Sequence, residues 1–580
     1  MKLFAAEGRN HICECAVLQI KIGAQGFESI RANGCFYVDK TGFVRDWWRA
    51  RDSVTLVCRP RRFGKTLNLD TVRCFLSREF AGRGEELFSG LDVWEDPAMR
   101  ALQGTVPVVA MSFAKVKGAT FEETLDGLRR VIRAAVRDHD YLRGSGALTD
   151  DDRSFLARVS DDMPASVAAD AVNQLCSMLR RHWGVAPVVL LDECDAPMEC
   201  AWTHGYWAEA SDFMRQLMNA TFKTNPAMGR GLITGVTRVS RESIFSDLNN
   251  LEVVTASSPK YRESFGFTQG EVDAALAEYG LAGRREGVRD WYDGFTFGGA
   301  GHVYNPWSVT KFLEGGGTFR AYWANTSGNG LVSEVVRRGD EELKADFEEL
   351  MRGGEVKRVI DEQVVFSELA TVPDAAWALL LAAGYVTCPG PVPEFPETTP
   401  RRLRLTNKEV RVCFDRMVSG WFSPARVRYG QFARALLEGD ARVATRCLAE
   451  VTRACVSSFD AGTRPSESSE PERFYHGLVL GLLASLRGRY SVESNRESGF
   501  GRYDVALVPT DGAGGADPAV VMEFKVFDDW DEETLADTVA RARRQIDKKG
   551  YVSGLVERGI APERIRTYGI AFRGKEVLVG

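Results

Sequence analysis

Histidine is scarce, six in 580 residues, and the twelve cysteines are scattered without C-x-x-C spacing. No zinc ligand set can be assembled by spacing from such a chain, and the cysteines read as reduced core thiols of a cytosolic protein. Long apolar runs are missing too. The first ten residues mix polar and acidic side chains instead of giving a basic start and an apolar stretch, and no later span of 18 apolar residues follows. The expectation is a soluble, cytoplasmic protein with no membrane partner. Nor is there a strong excess of charge: 74 basic against 80 acidic residues leave a net −6, so a polyanion must be met by local basic patches. Bulk charge neither supports nor excludes nucleic acid.

What is present is an ordinary globular composition, 44% hydrophobic and 27% charged, in a chain too long for one core. Residues 1–18 read as an N-terminal extension, because regular apolar patterning begins only at "LQIKIGAQGFESI". Short β-branched runs then alternate with helical patterns, the signature of a mostly parallel sheet with flanking helices. "SVTLVC", "VPVVAMSFA", "APVVLLDE" and "GRGLITGV" read as four strands, and "KTLNLDTVRCFL" and "FEETLDGLRRVIRAAV" as helices. Thr268 and Glu271 form a capping-box pattern at the head of another helix. Farther on, "AAWALLLAAGYVT", "RRLRLT" and "NKEVRVCFDRMV" suggest helix, wing and helix. The polar "DAGTRPSESSEPE" reads as a linker, followed by the helix "RFYHGLVLGLLASL" and a β-rich end.

The sharpest motif is "CRPRRFGKTLNLD" (58–70), which follows a strand and opens a helix. It matches G-x-x-x-x-G-K-[ST] except that Arg59 replaces the first glycine. In such a loop backbone N–H groups wrap phosphates, the lysine reaches the outer ones, and the hydroxyl holds magnesium. Arg61, Arg62, Phe63, Gly64, Lys65 and Thr66 are therefore expected to bind ATP, with Arg59 costing backbone freedom rather than chemistry. "VVLLDE" supplies the partner: Asp192 to hold Mg²⁺ with Thr66, and Glu193 to orient and deprotonate the attacking water. Thr234, ending the fourth strand, is expected to sense the terminal phosphate, and Arg238 or Arg241 to act as an arginine finger. A solvated surface arginine is an equally good reading of either.

A second constellation lies near the C-terminus. "GFGRYDVALVP" and "AVVMEFKVF" put Asp504 on one strand and Glu523 and Lys525 on the next, the latter two on one face because strand side chains alternate. Two carboxylates and a lysine on one rim suit metal-assisted phosphodiester hydrolysis with Mg²⁺ or Mn²⁺; a cross-strand salt bridge is the plain alternative. Glu472 could add a ligand, and "ARARRQIDKK" reads as a basic helix able to contact a DNA backbone.

Together with "FYVDKTGF", "LITGVTRVSRESIFSDLNNL", "WYDGF", "YNPWS", "YWANTSGN" and "YGIAF", these motifs make the chain resemble bacterial AAA-ATPase-like proteins that end in a PD-(D/E)XK nuclease-superfamily domain. In that family the arginine-bearing loop is the usual form. The resemblance implies an α/β chain in four parts: extension 1–18, AAA-ATPase-like P-loop domain with lid 19–330, helical or winged-helix-like region 331–458, and nuclease-like domain 459–580. It puts the nuclease roles on Asp504, Glu523 and Lys525, with Tyr503-Asp504 in place of Pro-Asp, and Cys194 where an aromatic is common. Two intact constellations on one chain lead to the expectation of an ATP-dependent or ATP-regulated nuclease, with DNA the favoured substrate over RNA; the resemblance itself carries no physiological substrate, and homo-oligomerisation is left open. Competing readings are a nucleotide-switched scaffold whose nuclease-like domain only binds nucleic acid or protein, and a transcription-factor-like winged helix.

Overall fold

Val54–Cys58 is a run of five residues without a charge, and it has no face to offer water. Such a strand is stable only inside a sheet covered on both sides. In the computed structural model this run is β1, in an all-parallel sheet with β2 (Val108–Ser112), β3 (Val188–Asp192), β4 (Arg230–Gly235) and β5 (Leu251–Val254), ordered β2-β3-β4-β1-β5. The structure describes residues 18–236, 248–323, 332, 335, 341–362, 375–396, 398–421, 426–456, 479, 483, 486, 489–494, 497–498, 501–502, 504–510, 517–528, 532–573 and 576–580. They belong to two compact units, Met1–Arg411 and Val412–Gly580.

In the first unit β1 to β4 are the strands that the apolar runs predict, whereas β5 has no counterpart in that reading. It is an edge strand with Glu252 exposed and Leu251 and Val253 half-buried, so no continuous apolar run marks it. The order matters for chemistry. With β4 between β1 and β3, the carboxyl ends of all three lie side by side, where open α/β sheets hold their ligands.

After β5 come a small sheet, β6 (Phe267–Thr268), β7 (Phe295–Phe297) and β8 (Ala300–Tyr304), and the helix Gln269–Glu278. That helix has the predicted capping box: the Glu271 N–H donates to the Thr268 hydroxyl and the Thr268 N–H to the Glu271 carboxylate. Next, β9 (Val356–Arg358), β10 (Val386–Thr387) and β11 (Arg401–Leu405) form an antiparallel sheet, β10 and β11 being joined by the proline-rich loop. The helix Ala375–Ala382 precedes this hairpin and the helix Lys408–Trp421 follows it.

Glu409, at the start of that last helix, is 1% exposed and accepts hydrogen bonds from the Ser308 hydroxyl (2.7 Å) and the Trp323 N–H (2.6 Å). Burial pushes its carboxyl up from 4.5 to about 7. A carboxyl raised in the folded state stabilises fully below its unfolded pKa, and that contribution is lost as pH climbs through the folded one. The expected loss is about 3 kcal/mol between pH 5 and 8. Glu409→Gln, which can still accept from Trp323 and donate to Ser308, should show a melting temperature with a flatter pH profile than wild type. Parallel profiles would contradict the assignment.

The second unit is built on a mixed sheet, β12 (Tyr490–Ser494), β15 (Val505–Pro509), β16 (Ala519–Val526), β17 (Ile565–Arg573) and β18 (Glu576–Val579), in that order, with β13 (Glu497–Ser498) and β14 (Gly501–Arg502) as a separate hairpin. Alternation sorts the side chains. Val505, Leu507, Val520, Met522 and Phe524 face one core, and Ala506, Val508, Ala519 and Val521 the other. The helices Arg426–Glu438 and Ala441–Val456, expected in a middle region, bury Phe432, Leu436 and Leu448 in the first of these cores. They are part of the C-terminal unit for that reason, so the expected 331–458 region is divided between the two units. The expected linker lies outside the described residues, as does most of the helix after it.

Candidate functional site

The loop after β1 turns into the helix Lys65–Leu76 through Gly64, whose φ of +78° is a left-handed conformation that favours glycine. The Lys65 Nζ folds back to donate to the carbonyls of Arg59 (2.8 Å) and Pro60 (2.9 Å). Thr66 donates to Asp192 Oδ2 (2.8 Å), and Thr234 to Asp192 Oδ1 (2.5 Å). The hydroxyls of β4 and of the first turn of that helix thus hold the two oxygens of the β3 carboxylate. Thr234 is buried, and its hydroxyl also accepts the Glu193 N–H at 3.4 Å. A hydroxyl and a carboxylate 2.8 Å apart fit a cation that takes one or two protein oxygens and keeps its waters.

Arg59 is a bolt for this loop. It is wholly buried, its guanidinium donating to the carbonyls of Cys58 (2.9 Å) and Thr255 (2.7 Å), while its charge lies 4.4 Å from the centre of the Phe297 ring. Burial lowers its pKa to about 10, which still leaves it charged at neutral pH. Phe63 likewise turns its ring into the aromatic cluster of Phe295 and Phe297, so it can offer a nucleotide only its backbone. Arg59→Gly, which would restore the ordinary loop consensus, should therefore destabilise the protein by roughly 2–4 kcal/mol, the loss of strong carbonyl bonds and a cation–π contact. An unchanged denaturation midpoint would contradict this.

A cavity of about 1130 Å³ opens over the loop, lined by Arg61 to Asn68, Glu193, Glu199 and Trp307, among others. Glu193, at φ +50°, has its carboxyl raised by burial and by the neighbouring Asp192, which moves it toward the range of a general base near neutral pH. Burial lowers the Lys65 ammonium, opposed by Asp195, Asp192 and Glu193. Arg61 is paired with Glu199. Sequence reasoning missed the far wall: Ile20 to Gln25 and Phe36 to Val38 also line the cavity, and only its closing over the loop reveals them. Arg238 and Arg241 lie outside the described residues.

In the second unit β15 and β16 pair antiparallel, Val505 opposite Met522, which brings Asp504 beside Glu523. The Asp504 carboxylate accepts the Phe524 N–H at 2.7 Å. Lys525 Nζ stands 3.5 Å from Glu523 Oε1, on the same face. The helix Leu535–Lys549 covers that face. It lies so close to β17 that a Cβ on Gly569, the register partner of Glu523, would come 2.6 Å from the Val539 carbonyl. This close approach lets Gln545 donate to Glu523 and, at 3.4 Å, to the Tyr551 hydroxyl. Gln545 and Tyr551 were not foreseen. The signal was a polar residue on the sheet-facing stripe of Thr538, Ala542 and Ile546, hidden in a basic run. Of that run, Arg543, Arg544 and Lys548 are exposed, while Arg541 donates to the Val526 carbonyl. Glu472 lies outside the described residues, and among the described residues no three metal-ligating side chains cluster. Asp504 and Glu523 alone still fit magnesium, which binds through one or two carboxylates and water.

No helix among the described residues is long and apolar enough to cross a membrane. Residues 21–245 match the family described as "Predicted AAA-ATPase", AAA-ATPase-like, and residues 470–580 match the PD-(D/E)XK nuclease superfamily. A relative from Azotobacter chroococcum mcd 1, described as "Uncharacterized protein in vnfD 5'region", is 29% identical over 397 residues, 68% of this chain and 68% of its own. A parallel sheet carrying the 59–66 loop and a mixed sheet carrying an acidic rim agree with these matches: residues 21–245 are similar to an AAA-ATPase-like domain and residues 470–580 to a PD-(D/E)XK nuclease-superfamily domain.

Proposed function

We propose that the protein is an ATP-hydrolysing, divalent-metal-dependent nuclease acting on DNA, its cleavage dependent on or regulated by ATP. The observation that carries this reading is the meeting of Asp504, Glu523 and Lys525 on one rim, in a chain that also has Lys65, Thr66, Asp192 and Glu193 around one loop. At the first site Thr66 and Asp192 would hold Mg²⁺, Lys65 would leave its loop carbonyls for the outer phosphates, and Glu193 would take the proton of the attacking water. At the second, Asp504 and Glu523 would hold Mg²⁺ or Mn²⁺. The bound ion would polarise the phosphodiester and acidify a water. Lys525 would offset the charge gained in the transition state, Gln545 would fix the Glu523 carboxylate, and Arg543, Arg544 and Lys548 would meet the backbone.

Purified protein should cut linear or supercoiled DNA with Mg²⁺ or Mn²⁺, at a rate that changes with ATP. DNA left intact under every combination would sink the reading. A second reading, a nucleotide-switched scaffold that holds DNA without cutting it, is favoured by the Glu523 carboxylate being engaged by both Gln545 and Lys525. It requires DNA retention unchanged in Asp504→Ala and Lys525→Ala.

A further inference from the structure

The loop 59–66 carries four cations, and three have their charge committed. Arg59 is spent on buried carbonyls, Arg61 on Glu199, and Lys65 on the carbonyls of its own loop. Arg62 differs. Its guanidinium lies 3.9 Å from the centre of the Trp307 ring, and among the described residues it makes no ion pair; the opposing charge acting on it is that of Glu193. Both residues line the cavity over the loop. The Arg62 backbone sits at φ +69°, a strained conformation for a residue with a Cβ, which persists only where the surroundings over-determine it.

The surroundings are Trp307 and its support. Asn305 caps the helix Pro306–Glu314 by accepting the N–H groups of Trp307 (3.0 Å) and Ser308 (3.3 Å), and its amide donates to the Arg61 carbonyl (3.4 Å). One buried asparagine thus fixes the indole and the loop backbone against each other.

We propose that Arg62 is the catalytic cation of the ATP site, and that Trp307 is a positioning residue that keeps it stacked until a terminal phosphate draws it across. This rests on the reading of the loop as an ATP site. A half-exposed cation–π contact is weaker than a charge-assisted hydrogen bond to phosphate, so the γ-phosphate takes the guanidinium and ADP leaves it on the indole. In the reaction the water oxygen bonds to the γ-phosphorus, its proton passes to Glu193, and the bond to the bridging oxygen breaks with its electron pair leaving on ADP. Arg62 stabilises the charge on the transferring group. Lysine at position 62 could not replace it, having neither the planar face for Trp307 nor the fork for phosphate.

The test measures fluorescent-nucleotide affinity, hydrolysis kcat and KM, and tryptophan emission with ADP and with a non-hydrolysable ATP analogue. Arg62→Ala and Arg62→Lys should lower kcat by roughly 10²-fold or more, with nucleotide affinity changed by less than about tenfold. Trp307→Ala should lower kcat about tenfold and Trp307→Phe should recover most of it, because the ring face is retained. The analogue, and not ADP, should change wild-type emission, and the change should vanish in Trp307→Phe and Arg62→Lys. Wild-type kcat in Arg62→Ala, equal emission changes with ADP and the analogue, or a Trp307→Phe variant as slow as Trp307→Ala would each overturn the assignment. Wild type that binds no nucleotide would overturn the ATP reading itself, an outcome distinct from a variant that hydrolyses normally. Should Trp307→Ala fail to fold, the two Arg62 variants and Trp307→Phe carry the test.

Discussion

Glu193→Gln should bind ATP within a few fold of wild type while hydrolysing it roughly 10²–10⁴ times more slowly, the contribution of a positioned general base. Gln has the shape of Glu but cannot accept the water's proton. The 59–66 loop and the bonds from Thr66 and Thr234 that orient the Asp192 carboxylate do not use the Glu193 side chain. Burial and the nearby Asp192 raise the Glu193 carboxyl above the usual carboxylate range, and glutamine at this position has no such titration. Nucleotide-binding and steady-state hydrolysis assays on the same preparation separate the two effects. Hydrolysis at the wild-type rate would move the base elsewhere.

Asp504→Asn should reduce metal-dependent DNA cleavage by more than about 10³-fold, the loss of several kcal/mol of transition-state stabilisation. ATP hydrolysis measured without DNA should stay within about twofold. Asparagine can keep the bond from the Phe524 N–H through its carbonyl, so the junction of β15 and β16 is retained. What goes is one of the two negative charges through which the rim is proposed to hold a cation. Cleavage by Asp504→Asn at the wild-type rate would make the carboxylate pair a structural feature.

The legible parts of the fold and sites were those encoded locally. Buried parallel strands declare themselves as continuous apolar runs, which is why β1 to β4 and the positions of Lys65 and Asp192 could be read. Alternation along β16 put Glu523 and Lys525 on one face, and antiparallel pairing with β15 supplied Asp504. What could not be read depends on partners far away in the chain. Arg59 looked like a backbone substitution because Thr255, the carbonyl that gives it a purpose, is 196 positions away. Trp307 lay in "YNPWS", which has no phosphate signature of its own, and only the fold brings it to Arg62. Gln545 was obscured by the basic residues on either side. The β5 edge strand lacked the apolar run that burial on both faces would have imposed.

A chain that joins an ATPase to a nuclease should cut DNA at a rate that responds to nucleotide. ATP hydrolysis and DNA cleavage measured side by side for wild type, Lys65→Ala, Glu193→Gln and Asp504→Ala test it most directly. Asp504→Ala should lose cleavage alone, whereas Lys65→Ala and Glu193→Gln should lose hydrolysis and also alter the cleavage rate. Cleavage identical in wild type, Lys65→Ala and Glu193→Gln, with and without ATP, would contradict it.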